Sequence, residues 1–171
     1  MERKKNIVLI GMPGAGKSTV GVILAKQTSR SFLDSDVLIQ VKEGRSLQDI
    51  VNDEGHLILR EIEEATLLTI DLENHVIATG GSAAYSDAAM RHLGKQGIIV
   101  FLETSLATLR DRIRDFTTRG IAKRPDQSFE DLFQERLVLY NRYADVTVSC
   151  EGLTQEAISS KIIEAVSPWF L

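Results

Sequence analysis

The 171-residue chain has one cysteine, Cys150, so no disulfide can form within it, and a reducing, cytoplasmic setting is expected. It has no basic excess: 20 Lys and Arg against 24 Asp and Glu leave a formal net charge of −4 and a sequence pI of about 5.4. A general nucleic-acid or anionic-membrane surface is therefore disfavoured. The three histidines, His56, His75 and His92, are scattered without metal-ligand spacing and read as buried or surface residues. Long apolar runs are missing as well. The charged start Met1-Glu2-Arg3-Lys4-Lys5 resembles the opening of a secretory signal, but the apolar run behind it covers only Ile7 to Ile10 before Gly11. That is too short for a signal core or a membrane span. Internal repeats and low-complexity segments are absent. So are the guanine-reading Asn-Lys-x-Asp and the switch Asp-x-x-Gly of a GTPase. What remains is an ordinary globular composition, 43 % hydrophobic and 26 % charged, at a length that suggests one domain, residues 1–171.

Gly11-Met12-Pro13-Gly14-Ala15-Gly16-Lys17-Ser18 fits the phosphate-loop pattern G-x-x-x-x-G-K-[ST] at every fixed position. Its glycines let backbone N–H groups curl around phosphate oxygens. Lys17 reaches the β- and γ-phosphates, and the Ser18 hydroxyl suits a Mg²⁺ ion. The flanks agree: the nearly all-apolar Asn6–Ile10 reads as a buried parallel strand, and Val20, Ile23 and Leu24 after the loop share one helix face. The pattern predicts binding of ATP with Mg²⁺.

Further strands are expected at Ser31–Leu33, Val76–Thr79, Ile98–Leu102 and Val146–Ser149. Helices are expected at Lys17–Arg30, Leu47–Asp53, Leu57–Leu72, Ser86–Leu93, Leu106–Asp115, Phe129–Tyr143 and Gln155–Val166, with Ser86, Ser128 and Thr154 as N-caps and Pro168 closing the last. Alternating strands and helices imply an α/β protein: a parallel sheet with helices on both faces. Arg112 to Ser128 interrupts the alternation with a basic stretch holding Gly120 and Pro125. It reads as a solvated helix end or, given the phosphate loop, as a mobile lid carrying cations to ATP.

Three further clusters stand out. Asp34 and Asp36 follow the second strand, where α/β sheets gather ligands. In extended backbone their spacing puts both carboxylates on one side, for Mg²⁺ and a substrate hydroxyl; alternatively the pair caps the next helix. Thr79-Gly80-Gly81-Ser82 ends the third strand as a plain turn or a close backbone approach. Arg60 lies on an acidic helix with Glu61, Glu63 and Glu64, where surface pairing is the simple explanation; Glu135-Arg136 is equally open.

Together these pieces resemble the shikimate kinase family from about Asn6 to Val166. The family's Asp-x-Asp is matched by Asp34 and Asp36, and its aromatic-Arg-x-x-Glu by Leu59-Arg60-Glu61-Ile62-Glu63. Its Gly-Gly-Gly turn is matched by Gly80-Gly81-Ser82, its lid Arg-Pro-Leu-Leu in part by Arg124-Pro125, and its Arg-x-Pro-Leu-Tyr by Arg136-Leu137-Val138-Leu139-Tyr140. The resemblance implies a three-layer αβα fold of the nucleoside-monophosphate-kinase type, with five parallel strands ordered 2-3-1-4-5 and a lid at about 112–128. It implies transfer of the γ-phosphoryl group of ATP to shikimate, giving shikimate 3-phosphate, by a cytoplasmic monomer. By position, Gly11, Gly14, Ala15, Gly16, Lys17, Ser18 and Thr19 would hold the nucleotide, and Ser18 and Asp34 the Mg²⁺. Arg112 would pack on adenine. Asp36 would accept from the reacting hydroxyl, and Arg124 would close over the phosphoryl group. Arg60, oriented by Glu63, and Arg136 would clamp the substrate carboxylate, over a floor of Gly80, Gly81 and Ser82. Leu59, Ser82, Asp126-Gln127 and Val138 depart from the family pattern, all on the acceptor or lid side. They leave open a kinase for another small hydroxylated acid or, in another class, an inactive nucleotide-binding regulator.

Overall fold

In the computed structural model, residues 4–115 and 117–170 are described; the charged start at residues 1–3 and lid position Phe116 lie outside them. Five parallel strands form one sheet: β1 (Asn6–Ile10), β2 (Ser31–Asp34), β3 (His75–Ala78), β4 (Gly97–Glu103) and β5 (Val146–Ser149). Their order is β2-β3-β1-β4-β5, the order the resemblance implied. Val8 of β1 faces Ile77 on one side and Ile99 on the other. All of β1 is buried, whereas the edge strands β2 and β5 are largely open. That gradient is why the central strands read as continuous apolar runs.

Eight α-helices are found among the described residues: α1 (Lys17–Gln27), α2 (Ser35–Glu43), α3 (Leu47–Glu54), α4 (His56–Leu68), α5 (Asp87–Gln96), α6 (Leu106–Arg112), α7 (Phe129–Tyr143) and α8 (Gln155–Val166). Helix α1 packs on α8, and α4 on α5. The chain leaves β1 toward the β2 edge and leaves β3 toward the β4 edge. This change of direction opens a crevice outside the carboxyl ends of β1 and β3, where such sheets bind ligands.

The three expected N-caps are in place. Ser86 accepts from Ala89 N, Ser128 from Asp131 N within a full capping box, and Thr154 from Ala157 N. The largest departure from expectation is α2, which the sequence pattern did not reveal. Its Val37 and Val41 are exposed, so it has no clean apolar stripe; Asp34 starts it and Gly44 ends it. Helix α1 stops at Gln27 rather than Arg30, because Ser29 takes a left-handed backbone. Helix α4 stops at Leu68 and α6 at Arg112, each a turn short of expectation.

Two apolar clusters support the crevice. The main core fills both faces of the sheet. A second, small cluster joins Ile39 of α2, Ile50 of α3, Leu59 of α4 and Ala122 of the segment expected as a lid. Gly120 N also donates to Gln48 Oε1 at 2.9 Å, so this segment is docked on α3.

Candidate active site

A cleft of about 420 Å³ lies in the crevice, reached by the phosphate loop, α2, α3, α4, the turn after β3, the lid segment and Arg136 of α7. The phosphate loop turns into α1 at Gly16, whose φ of 93° is left-handed and open to glycine at little cost. No side chain caps the first N–H groups of α1, and no acidic residue occupies its first turn. Those amides and the helix dipole favour an anion. Lys17 is buried, and its Nζ donates to Gly11 O at 2.7 Å and Met12 O at 2.9 Å. Burial lowers its pKa to about 8, although Asp36 opposes the shift.

Ser18 Oγ donates to Asp34 Oδ2 at 2.5 Å, while Asp34 Oδ1 accepts from Asp36 N at 2.9 Å and Val37 N at 3.3 Å. The two acidic residues are therefore not side by side in extended backbone, as their spacing suggested. Asp34 caps α2 and still faces Ser18, and the first turn of α2 carries Asp36 into the cleft. Burial raises the Asp36 pKa to about 6, with Lys17 pulling the other way. Burial and then Asp36 raise that of Glu63 to about 7, opposed by the hydrogen bond from Ser82. At neutral pH Asp36 is mostly ionised and Lys17 mostly protonated.

The turn after β3 lets these groups converge. A Cβ at Gly80 would collide with Glu63 Oε1 and stand 2.6 Å from Asp36 Oδ1; one at Gly81 would stand 2.6 Å from Arg136 Nη1. The close-approach reading of the glycine pair thus holds. Ser82, in place of a third glycine, donates to Glu63 Oε2.

Arg136 is 1 % exposed and donates through Nη2 to Ala122 O at 2.8 Å. Arg60 Nη2 reaches the same carbonyl at 3.5 Å, from a neighbouring pocket of about 290 Å³ that shares Glu63 and Ser82 with the cleft. Among the described residues no carboxylate lies within ion-pair distance of either arginine. Surface pairing therefore does not explain Arg60, and Glu63 sits on Ser82 instead of orienting it. The Nε atoms of both arginines and Glu63 Oε1 are buried without a hydrogen-bond partner.

Arg124 does not reach the cleft. Half exposed, it pairs with Glu135 at 3.6 Å and Asp126 at 3.8 Å. Beyond Arg112, the cation of the segment expected as a lid that lines the cleft, among the described residues, is Arg119, with Gly120, Ile121 and Ala122. Arg-Pro drew attention to Arg124, but the apolar pair Ile121-Ala122, buried here, is what docks the segment and sets which arginine points inward. Arg112 Nη1 donates to Gly14 O at 3.2 Å and lines both the cleft and an adjoining pocket with Ala15, Gly16 and Thr154. Thr19 lines the cleft too, while Gly11 serves through its carbonyl. Of the departures from the family pattern, Val138 is 62 % exposed and away from the cleft. Sequence reasoning missed Tyr85 and Arg119, neither of which sits in a motif; Gln127, noted only as a departure from the lid pattern, is buried and donates to Glu135 Oε2.

A family model described as shikimate kinase matches residues 13–167. A shikimate kinase from a Sulfurihydrogenibium species is 36 % identical over 163 residues, covering 95 % of this chain and 98 % of that one. A solved shikimate kinase from Acinetobacter baumannii in complex with shikimate aligns with a TM-score of 0.87 at 31 % identity, covering 98 % of this chain and 95 % of that one. Thymidylate kinase from Candida albicans aligns at a TM-score of 0.60 and 15 % identity, with 97 % and 92 % coverage, a likeness of fold alone.

Proposed function

The chain belongs to the shikimate kinase family and is an ATP-dependent kinase that phosphorylates shikimate, and we propose that it grips its two substrates with two separate sets of groups. On the nucleotide side, Gly14, Ala15, Gly16, Ser18 and Thr19 cradle the phosphates, and Arg112 lies on the adenine side of the loop. Mg²⁺ would be held by Ser18 and Asp34, whose hydroxyl and carboxylate oxygens adjoin and suit a hard cation. When bound, it neutralises phosphate charge. Among the described residues no group of three or more His, Cys, Asp or Glu could hold a metal, and Mg²⁺ in such enzymes draws its other ligands from water and phosphate.

On the acceptor side, Asp36 takes the proton of the attacking hydroxyl as the new oxygen–phosphorus bond forms and the bond from the γ-phosphorus to its bridging oxygen breaks, releasing ADP. Lys17 and Arg119 place positive charge on the transferring group. Arg136 and Arg60 receive the acceptor's carboxylate, over a floor of Gly80, Gly81 and Ser82. One observation carries this half: Arg136 is a buried cation with no carboxylate in reach among the described residues. Such a charge is costly unless paired, so an anionic ligand belongs beside it. A monomer is the working form in this reading, since no named role calls for a second chain, and the lone buried Cys150 suits a cytoplasmic enzyme. No helix among the described residues is long and apolar enough to cross a membrane.

Coupled ADP release with shikimate, quinate, homoserine and gluconate tests the acceptor. Turnover is expected with shikimate and at most a few per cent of it with the others. Turnover of another acid but not of millimolar shikimate would overturn the assignment. ATP binding without ADP release on any acceptor would return the protein to the class of inactive nucleotide-binding regulators.

A further inference from the structure

The two arginines on the acceptor side share a difficulty. Both point at Ala122 O, no carboxylate separates them, and like charges in a buried site repel. The residue before Arg60 is the aliphatic Leu59, which is committed to the small apolar cluster. A ring nevertheless lies under the guanidinium. Tyr85, in the short 3-10 turn Ala83–Tyr85, places its face 3.6 Å from Arg60 Cζ, and the same ring stands 5.5 Å from Arg136 Cζ. The negative face of an aromatic ring attracts a guanidinium and stacks with its plane. Tyr85 is itself fixed: its hydroxyl donates to Glu135 Oε1, whose other oxygen accepts from Gln127 Nε2 at 3.2 Å.

We propose that Tyr85 is a positioning residue for the acceptor, a ring platform that holds the Arg60 guanidinium beside Arg136 so that one carboxylate is met by both. This rests on the reading that Arg60 and Arg136 bind the acceptor carboxylate. The platform is the ring face; the hydroxyl anchors it to Glu135 and also accepts a hydrogen bond from the Arg136 guanidinium. Tyr85 lines the neighbouring pocket with Arg60 and does not reach the phosphate loop, so its influence falls on the acceptor and not on ATP.

Steady-state kinetics on Tyr85→Leu, Tyr85→Phe and Arg60→Ala test it. Tyr85→Leu is expected to raise KM for shikimate about 3- to 30-fold, the range of a partly desolvated cation–ring contact. KM for ATP should stay within about 2-fold, and Tyr85→Phe should restore the shikimate KM to within about 3-fold of the parent, because it keeps the ring. Equal losses toward both substrates would mark Tyr85 as merely structural and overturn the proposal. So would a Phe variant as damaged as the Leu variant, or an unchanged shikimate KM in Tyr85→Leu while Arg60→Ala raises it. If Arg60→Ala leaves the shikimate KM unchanged too, the carboxylate clamp itself is wrong, and the platform falls with it.

Discussion

In the proposed reading, the nucleotide half of the cleft comes mainly from one stretch, Gly11 to Thr19, joined by Asp34 and Arg112, and would bind chiefly through backbone. The acceptor half comes from Asp36, Arg60, Glu63, the turn at Gly80, Arg119 and Arg136, and would bind mainly through side chains carried on separate elements. Their foundations differ as well. The phosphate loop follows β1, every residue of which is buried in the main core. Asp36 stands on α2 and Arg60 and Glu63 on α4, and the small cluster of Ile39, Ile50, Leu59 and Ala122 joins these helices to α3 and to the segment that follows Arg119. A backbone cradle constrains its sequence tightly and changes little. A side-chain cradle can exchange members as long as the charges end up in place. The departures from the family pattern fall on the second kind: Ser82 hydrogen-bonds to Glu63, and Gln127 to Glu135.

The sharpest break of this comparison pairs Lys17→Met with Arg136→Ala. Lys17 sits where the halves meet, beside Asp36, so its loss should lower kcat at least about 100-fold, on the order of 3 kcal/mol of transition-state stabilisation. Arg136→Ala should raise the shikimate KM about 10- to 100-fold, as expected for a buried charge-assisted hydrogen bond, and leave the ATP KM within about 2-fold. Arg136→Lys should recover little, because an ammonium cannot offer the planar fork. Initial-rate kinetics with each substrate varied separates the two. If Arg136→Ala raises both KM values alike, the halves are not independent.

A smaller effect is expected where the lid crosses from one half to the other. Arg119→Ala should lower kcat by roughly 10- to 100-fold, since Arg119 lines the cleft. Arg124→Ala should cost less than about 3-fold, since it removes only exposed pairs with Glu135 and Asp126. The reverse order would restore Arg124 as the arginine that acts on the phosphoryl group.

The same contrast explains what could be read without coordinates. The phosphate loop, the strand before it and the helix after it were legible because their chemistry is local: fixed glycine spacing, a buried parallel strand, and a helix that the loop pattern itself demands, with Val20 and Leu24 one turn apart and buried. Strand order was available only through resemblance, because crossover direction leaves no mark in a single strand's composition. Helix α2 was illegible because Val37 and Val41 face solvent and blur the apolar period. Arg60 and Arg136 were candidates with two meanings; among the described residues neither has a carboxylate within ion-pair distance, which removes surface pairing, and the acceptor-binding meaning is the one proposed above. Arg119 and Tyr85 were invisible for a different reason. What singles each out is the packing of Ile121-Ala122, or of a ring under a guanidinium, across elements far apart in the chain.

The last effect concerns stability, and it runs against activity. Burial raises the Glu63 pKa from 4.5 to about 7, so the folded protein holds a proton there that the unfolded chain gives up at lower pH. Below about pH 4 both states are protonated and the group costs nothing. As pH rises through the unfolded value toward the folded one, the unfolded chain ionises freely while the folded one resists, and stability is lost. The full cost, about 3 kcal/mol for this shift, is reached above pH 7. Glu63→Gln removes the titration and keeps an oxygen for the Ser82 hydroxyl. Its Tm should therefore exceed that of the parent by several degrees at pH 8 and match it near pH 4.5. On the acceptor side the same variant should be the poorer enzyme, because the cleft loses a carboxylate beside Asp36 and Gly80. Thermal melts at the two pH values decide it. A Tm change of equal size at both would mean that packing, and not the buried proton, governs the site. A gain confined to high pH would show that the acceptor half, like Lys17 of the phosphate loop, holds its charge at a cost to the fold.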